Sequence, residues 1–468
     1  LLVEAKPMAN TNLFEEFEPT SKQAWLHKIE QDLKGKSLKS LARTTRDGIE
    51  INPVYFNEDA SPKAQPLKEH PKWDAVQEIF VTTEKEANAL ALDHLNRGAT
   101  SLLFYLQGQE NLNELLQEIQ IEYICLNLVT ANNPQKLAQQ LNALIQERGL
   151  DPLEIEGSVN YDPLENLART GNWFSNKTED FKNLKETEAL LREGIKGICV
   201  NANIFANAGA TEAQQIGIAL AMSYEYLHEL ELKSTRGFWL NLAVGADFFA
   251  EIAKLRALRR LWQKLQTELG LPTLELRLYA ETALRNKTIL DRYNNLIRTT
   301  SESMAAVIGG ATEVSVKAFN FTFEAPTFFG ERIAKNQQSI LQHESHFQKV
   351  RDMAAGSYFL EDLTEKMAEK GWQFFKEIEA NGGYINSLSS GWLQATVKTA
   401  AAKEQADFDA GHKVLVGANK YQNATDDLSN IVKQGLFWNA PKEDTAVEPF
   451  VTQRLSEEIE KQALGHKL

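Results

Sequence analysis

The 468-residue chain is 43% hydrophobic and 24% charged, with a formal charge of −14 and two cysteines. That balance is ordinary for a globular protein, repels nucleic acid, and supplies no disulfide or zinc framework. No apolar run reaches the length of a membrane span, and the leading LLVEAKPMANTNLFEEF has no basic segment running into an apolar one, so the chain reads as cytoplasmic with no membrane partner.

Residues 1–70 read as an amphipathic helix over about Ser21–Leu33 followed by extended segments punctuated by Pro53 and Pro62. The extended part, 34–70, is too sparse in apolar residues to build its own core, so it is expected to become ordered by lying across another surface, a partner's above all. Within it LKGKS (34–38) has the Lys-Ser of a phosphate-binding loop, but the glycine required five residues before Gly35 is Glu30. A solvated turn after a helix is the better reading.

Residues 71–350 alternate regularly. Strands are predicted at 76–81, 100–106, 122–129, 153–161, 195–201, 237–245, 274–282 and 313–319, and each is followed by helical periodicity, as in EKEANALALDHLN (84–96) and FAEIAKLRALRRLWQKLQTEL (249–269). Eight strand–helix units in about 270 residues is the size of a TIM (β/α)8 barrel. A doubly wound open sheet would carry a glycine-rich turn after its first strand, and VTTEKEAN (81–88) is not one. Cys125 and Cys199 sit in apolar strand runs and read as buried free thiols. Several strands are bulky in both parities, so Phe80, Phe104, Tyr105, Leu126 and Phe238 are expected to fill part of the barrel axis.

The fifth strand runs into VNANIFANAGATEAQQI (200–216), whose Ala208-Gly209-Ala210 suits a tight strand-to-helix corner. Catalytic groups of α/β enzymes stand at such corners, yet this one offers asparagines, Ile204 and Phe205, with no acid, base or nucleophile. After the seventh strand the loop AETALRNKTILDRYNNLIRTT (280–300) gathers Thr282, Arg285, Asn286, Lys287 and Thr288. Such a loop can grip phosphate or an amide-rich ligand, or it can cap a helix with Thr288 or Asp291 and leave solvated basic residues beside it. Spacing leaves both open. QHESH (342–346) places His343 and His346 three apart where a zinc helix needs four. The other six histidines are scattered. Residues 351–468 read as a helical extension interrupted by NGGY (381–384) and WNAPKEDT (438–445).

AETALRNKTILDRYNNLIRTT followed by AAVIGGATEVSVKAFN resembles the adenosylcobalamin-dependent acyl-CoA mutases, the methylmalonyl-CoA mutase family, as do LKGKSLKSLARTTRDGIEINPVY, FFAEIAKLRALRRLW, ERIAKNQQSILQHES, DMAAGSYFLEDLT and LVGANKY, in order from about residue 25 to 421. The resemblance implies a TIM barrel that threads a CoA substrate along its axis. It implies a Tyr-His pair ahead of the Ala-Gly-Ala turn, where this chain has Asn203 and Ile204, and an Arg-Gln-Tyr segment after Trp73, where it has Val76, Gln77 and Glu78. An isoleucine donates no hydrogen bond, and Glu78 is expected to repel a substrate carboxylate. Arg285, Asn286 and Thr288 are expected to be vestigial substrate-binding positions. The cobalamin signature Asp-x-His-x-x-Gly does not occur, and the 48 residues after Lys420 are too few for a cobalamin-binding domain. The implied role is the non-catalytic small subunit of a heterodimeric methylmalonyl-CoA mutase, with adenosylcobalamin in the partner large subunit and none bound by this chain. Alternatives are an active split mutase with cobalamin on a separate chain, and a CoA-binding or chaperone-like module serving a mutase.

Overall fold

Eight apolar runs between residues 74 and 315 become parallel strands because each is apolar in both parities, with one face for helices and one for the barrel interior. The computed structural model describes residues 16, 20–56, 71–231, 236–325, 327–428, 437–438 and 444–465. A short antiparallel hairpin, β1 (Arg43–Thr44) and β2 (Glu50–Ile51), precedes the barrel. The barrel strands are β3 (Asp74–Phe80), β4 (Ser101–Leu106), β5 (Cys125–Thr130), β6 (Glu156–Asn160), β7 (Ile195–Lys196), β8 (Ile198–Asn201), β9 (Phe238–Val244), β10 (Leu276–Thr282) and β11 (Glu313–Ser315), in the order β7-β6-β5-β4-β3-β11-β10-β9-β8.

The ninth strand is an interruption, not an extra unit. Gly197 divides one strand, so that β7 pairs with β6 and β8 pairs with β9. Above the break side chains close the seam. Asn160 and Asn201 exchange carboxamide hydrogen bonds at 3.2 and 3.0 Å, and Asp162 accepts from the Asn201 backbone N–H at 2.7 Å. The result is a (β/α)8 barrel, as the sequence predicts. Where β5 meets β6, Gly157 has φ +149° and a Cβ there would lie 1.8 Å from the Leu126 carbonyl oxygen, so only glycine fits.

Two expectations about packing change. Phe104 and Leu126 point outward into the cluster under helices Glu84–Asn96 and Pro134–Glu147, and Phe238 packs outward on Trp262 with ring centroids 4.8 Å apart. Of the five residues expected on the axis, Tyr105 is inside, and Phe80 stacks on it at 4.5 Å while remaining 55% exposed at the mouth. The arm also differs. Helix Lys22–Asp32 is capped by Ser21 and buries no residue fully, and LKGKS forms the expected turn, with Lys34 and Gly35 at positive φ. The hairpin, however, lies on this chain's own barrel. Arg46 donates to the Gly209 carbonyl at 2.8 Å and faces Glu404 at 3.3 Å, Asp47 accepts from the Ala213 N–H at 3.3 Å, and Ile49 is buried in the main core. Two charges at the hairpin tip matched to a helix N-terminus and a buried carboxylate anchor what its apolar content could not. Residues 57–70, expected to continue the arm, lie outside the described residues.

The carboxy-terminal helices are built onto the barrel. Helix Tyr358–Ala380 lies against helix Glu212–Glu229 so closely that a Cβ on Gly217 would meet the Phe374 ring at 2.8 Å and one on Gly371 would meet Ile216 at 2.7 Å. Fully buried Arg256 pairs with Asp352 at 2.5 Å and Glu361 at 2.8 Å. Residues 444–456 then cross the mouth as a strap, with backbone hydrogen bonds from Phe450 to Ala168 at 2.8 Å and from Leu455 to Arg285 at 3.0 Å. Cys125 and Cys199 are buried free thiols. Among the described residues no helix is long and apolar enough to cross a membrane.

Candidate functional site

The inward side chains stack in layers. At the floor Glu313, fully buried, accepts from Asn127 at 2.6 Å, Ser101 and Trp239 at 3.2 Å, and Arg277 at 3.3 Å. Arg277 reaches on to Glu156 at 2.6 Å. In the middle Trp239 and Tyr279 lie with ring centroids 4.8 Å apart among Val76, Leu103 and Cys199. Above them Glu78 accepts from Ser315 at 2.6 Å, Lys317 at 2.7 Å, Tyr279 at 3.0 Å and Tyr105 at 3.3 Å. Lys317 also faces Glu281 at 3.3 Å. Polar and aromatic groups from these strands therefore occupy the axis.

This revises the expected role of Glu78. Burial alone would raise its pKa, but the Lys317 ammonium and three hydroxyl donors outweigh burial and hold it below the ordinary carboxylate range. Its charge is neutralised inside the barrel by Lys317 and does not stand free to repel a ligand. Val76, at the other degenerate position, is a buried apolar residue of the middle layer.

Above Trp239 the barrel opens into a cavity of about 410 Å³ at the carboxy-terminal ends of β4, β5, β6, β8 and β9. One wall is apolar, with Leu103, Val129, Phe174 and Ile204, and the other carries Asn160, Asn201, Asn203 and Asn241. Asp162, Glu165 and Arg169 complete the lining. Asp162 accepts from Tyr226, from the Asn201 backbone and carboxamide, and from the Glu165 N–H, yet burial still raises its pKa. Burial pushes Glu165 up to about 7 against the opposing charge of Arg169, 2.7 Å away. Asn203 opens the short helix Asn203–Asn207 and donates to Glu281 at 2.9 Å, while Ile204 packs half-buried on the core. The corner thus presents carboxamides and one apolar side chain. None of the described histidines lines it; His70 and His466 lie outside the described residues. Among the described residues no group of three His, Cys, Asp or Glu side chains could hold a metal ion, QHESH included.

The loop after β10 stands apart from this cavity. Arg285 donates to Glu404 at 2.5 Å and to the carbonyls of Gln453 and Ala401 at 3.0 and 3.5 Å. Asn286 and Lys287 both donate to Glu302 at 2.7 Å, and the Thr288 hydroxyl accepts from the Leu290 N–H at 3.1 Å. Arg46, Arg285 and Lys413 together overcome burial and hold Glu404 down at about 2. Each polar group of the loop has an internal partner. Neither Thr288 nor Asp291 caps the helix that follows, which begins at Asn294 after an uncapped Tyr293, because the loop continues three residues further than its composition suggests. A larger cavity of about 720 Å³ lies outside the barrel between the hairpin and helices Tyr358–Ala380 and Trp392–Asp409; Arg46, Asp47, Lys370, Glu377 and Lys403 on its walls alternate in sign.

Reading the sequence missed Asn160, Asp162, Glu165, Asn201, Asn241, Glu281 and Lys317. The available signal was parity. Ser158 and Asn160, Cys199 and Asn201, Trp239 and Asn241, Tyr279 and Glu281, and Ser315 and Lys317 are each two apart, which marks the inward face of a barrel strand near its carboxy-terminal end.

Against known proteins, the family described as Methylmalonyl-CoA mutase matches residues 104–436. The methylmalonyl-CoA mutase small subunit of Porphyromonas gingivalis is 33% identical over 449 residues, covering 88% of this chain and 72% of that protein. The small subunit of Streptomyces virginiae is 30% identical over 455 residues, covering 90% and 73%. The large subunit of the same organism is 26% identical over 470 residues, covering 88% and 65%.

Proposed function

The chain belongs to the methylmalonyl-CoA mutase family, and from that premise we propose that it is the non-catalytic small subunit of a heterodimeric, adenosylcobalamin-dependent mutase. The observation that carries this reading is the locked interior. Lys317 holds Glu78 on the axis, and Trp239 with Tyr279 fills the layer below it. A CoA thioester threaded along the axis would have to displace a buried ion pair and two large rings, at a cost binding contacts would struggle to offset. At the mouth Asn203 and Ile204 provide neither a general acid nor a cationic donor.

Adenosylcobalamin does not fit this mouth as a ligated group, since no described histidine lines it, and the cofactor is assigned to the partner. Methylmalonyl-CoA to succinyl-CoA isomerisation is likewise assigned to the large subunit, so this chain's contribution is structural. The names of the relatives, small and large subunit, support such a pairing. A large subunit of the same family would present a second barrel as pseudo-symmetric mate.

The test is co-expression with a large subunit. A stable one-to-one complex is expected, with all turnover residing in the complex or its large subunit. Turnover by this chain with free adenosylcobalamin alone would overturn the reading.

A further inference from the structure

We propose that the mouth cavity is a binding site for a compact ligand with an apolar body and a nitrogen-centred head that donates hydrogen bonds, a primary amide or an ammonium. Asn241 is 5% exposed and lines the cavity, and its Oδ1 has no hydrogen-bond partner among the described residues. Asn203, on the same lining, also has a buried Oδ1 without a partner. Its orientation is fixed, because its Nδ2 donates to the Glu281 carboxylate at 2.9 Å, which can only accept. Two buried acceptors left without donors are costly and call for N–H groups.

The neighbouring amides do not supply them. Asn160 and Asn201 hold each other across the β6–β8 seam. The lining charges, Asp162 and Glu165 against Arg169, give no surplus of positive charge to attract a carboxylate. The opposite wall of Leu103, Leu106, Val129, Phe174, Ile204 and Trp239 suits an apolar body and gives water few partners. A volume of about 410 Å³ is in the range of small-molecule sites, and the Trp239–Tyr279 floor limits the ligand to a compact one. The inference does not rest on the subunit assignment.

The experiment titrates the full chain with benzamide, benzylamine and benzoate, three probes with one ring and different heads, by ligand-observed saturation-transfer NMR, with crystals soaked in the same probes. Benzamide or benzylamine is expected to bind in the cavity, with the amide or amine decided by which of the two binds more tightly, and benzoate at least about tenfold more weakly. Asn241→Leu should weaken the favoured probe at least about tenfold with an unchanged melting temperature. Ile204→Trp, which fills the cavity from its half-exposed rim, should abolish the signal. Equal binding of all three probes, preference for benzoate, binding elsewhere, no binding of any probe, or unchanged affinity in both variants would each overturn the proposal.

Discussion

Replacing Lys317 by methionine removes the one cation that serves two buried carboxylates. The ammonium lies 2.7 Å from Glu78 and 3.3 Å from Glu281, whose side chains are 9% and 5% exposed. Breaking a buried pair by deleting one partner costs about 3–5 kcal/mol. Glu78 keeps its bonds from Ser315, Tyr279 and Tyr105, and Glu281 keeps that from Asn203, which places the expected loss at the lower end, about 3 kcal/mol. Adding Glu78→Gln to the variant should restore about 1–2 kcal/mol, because the sites share partners and couple. Denaturant unfolding of the four proteins measures both. The pH dependence has a definite sign. In the native chain the depressed Glu78 pKa contributes stability that is present above its unfolded value and lost as pH falls through the folded one. Without Lys317, burial dominates and the carboxylate pKa rises above its unfolded value, so the variant gains stability as it is protonated. The gap between variant and parent should therefore narrow from pH 7 to pH 5. A Lys317→Met chain within about 0.5 kcal/mol of the parent at pH 7 would refute the reasoning, since that is the scatter of an ordinary surface change.

Burial first, then the nearby Glu212 charge, raises Asp47 to about 7; a raised folded value favours the protonated form, so stability is lost as pH climbs towards and through it. Asp47→Asn should melt above the parent at pH 8 and alongside it at pH 5. Arg285→Gln should lower stability by about 2 kcal/mol, through loss of its bonds to Glu404 and the Gln453 carbonyl, and leave probe binding at the mouth unchanged in the NMR titration. Gly157→Ala should yield no folded chain by circular dichroism, because its Cβ has no room beside the Leu126 carbonyl. Removing residues 1–41 should leave the melting temperature of the chain nearly unchanged, whereas removing residues 1–56 should lower it clearly, because the contacts to Gly209, Ala213 and Glu404 go with Arg46 and Asp47.

The barrel was legible because each strand repeats one pattern, an apolar run and then helical periodicity, and the break at Gly197 leaves that pattern intact. The degenerate corner was legible too, since Asn203 and Ile204 are adjacent in sequence and the structure sets both at the mouth. What fills the axis was not. Bulk alone does not say which way a side chain points, and Phe104, Leu126 and Phe238 share the outward parity of their strands. The partners of Glu78 and Arg285 are 239 and 119 residues away, so composition reads them as free charges while the fold pairs them. The hairpin anchor escaped for the same reason. Its weight rests on Arg46 and Asp47, and apolar content was the wrong measure of it.

The most direct measurement of the account is turnover of methylmalonyl-CoA by three purified preparations with adenosylcobalamin: this chain, a large subunit of the family, and their co-expressed complex. The prediction is no turnover from this chain, turnover in the complex, and the same turnover from a complex carrying Ile204→Trp at this chain's mouth. Turnover by this chain alone, or a complex silenced by that one substitution, would contradict it.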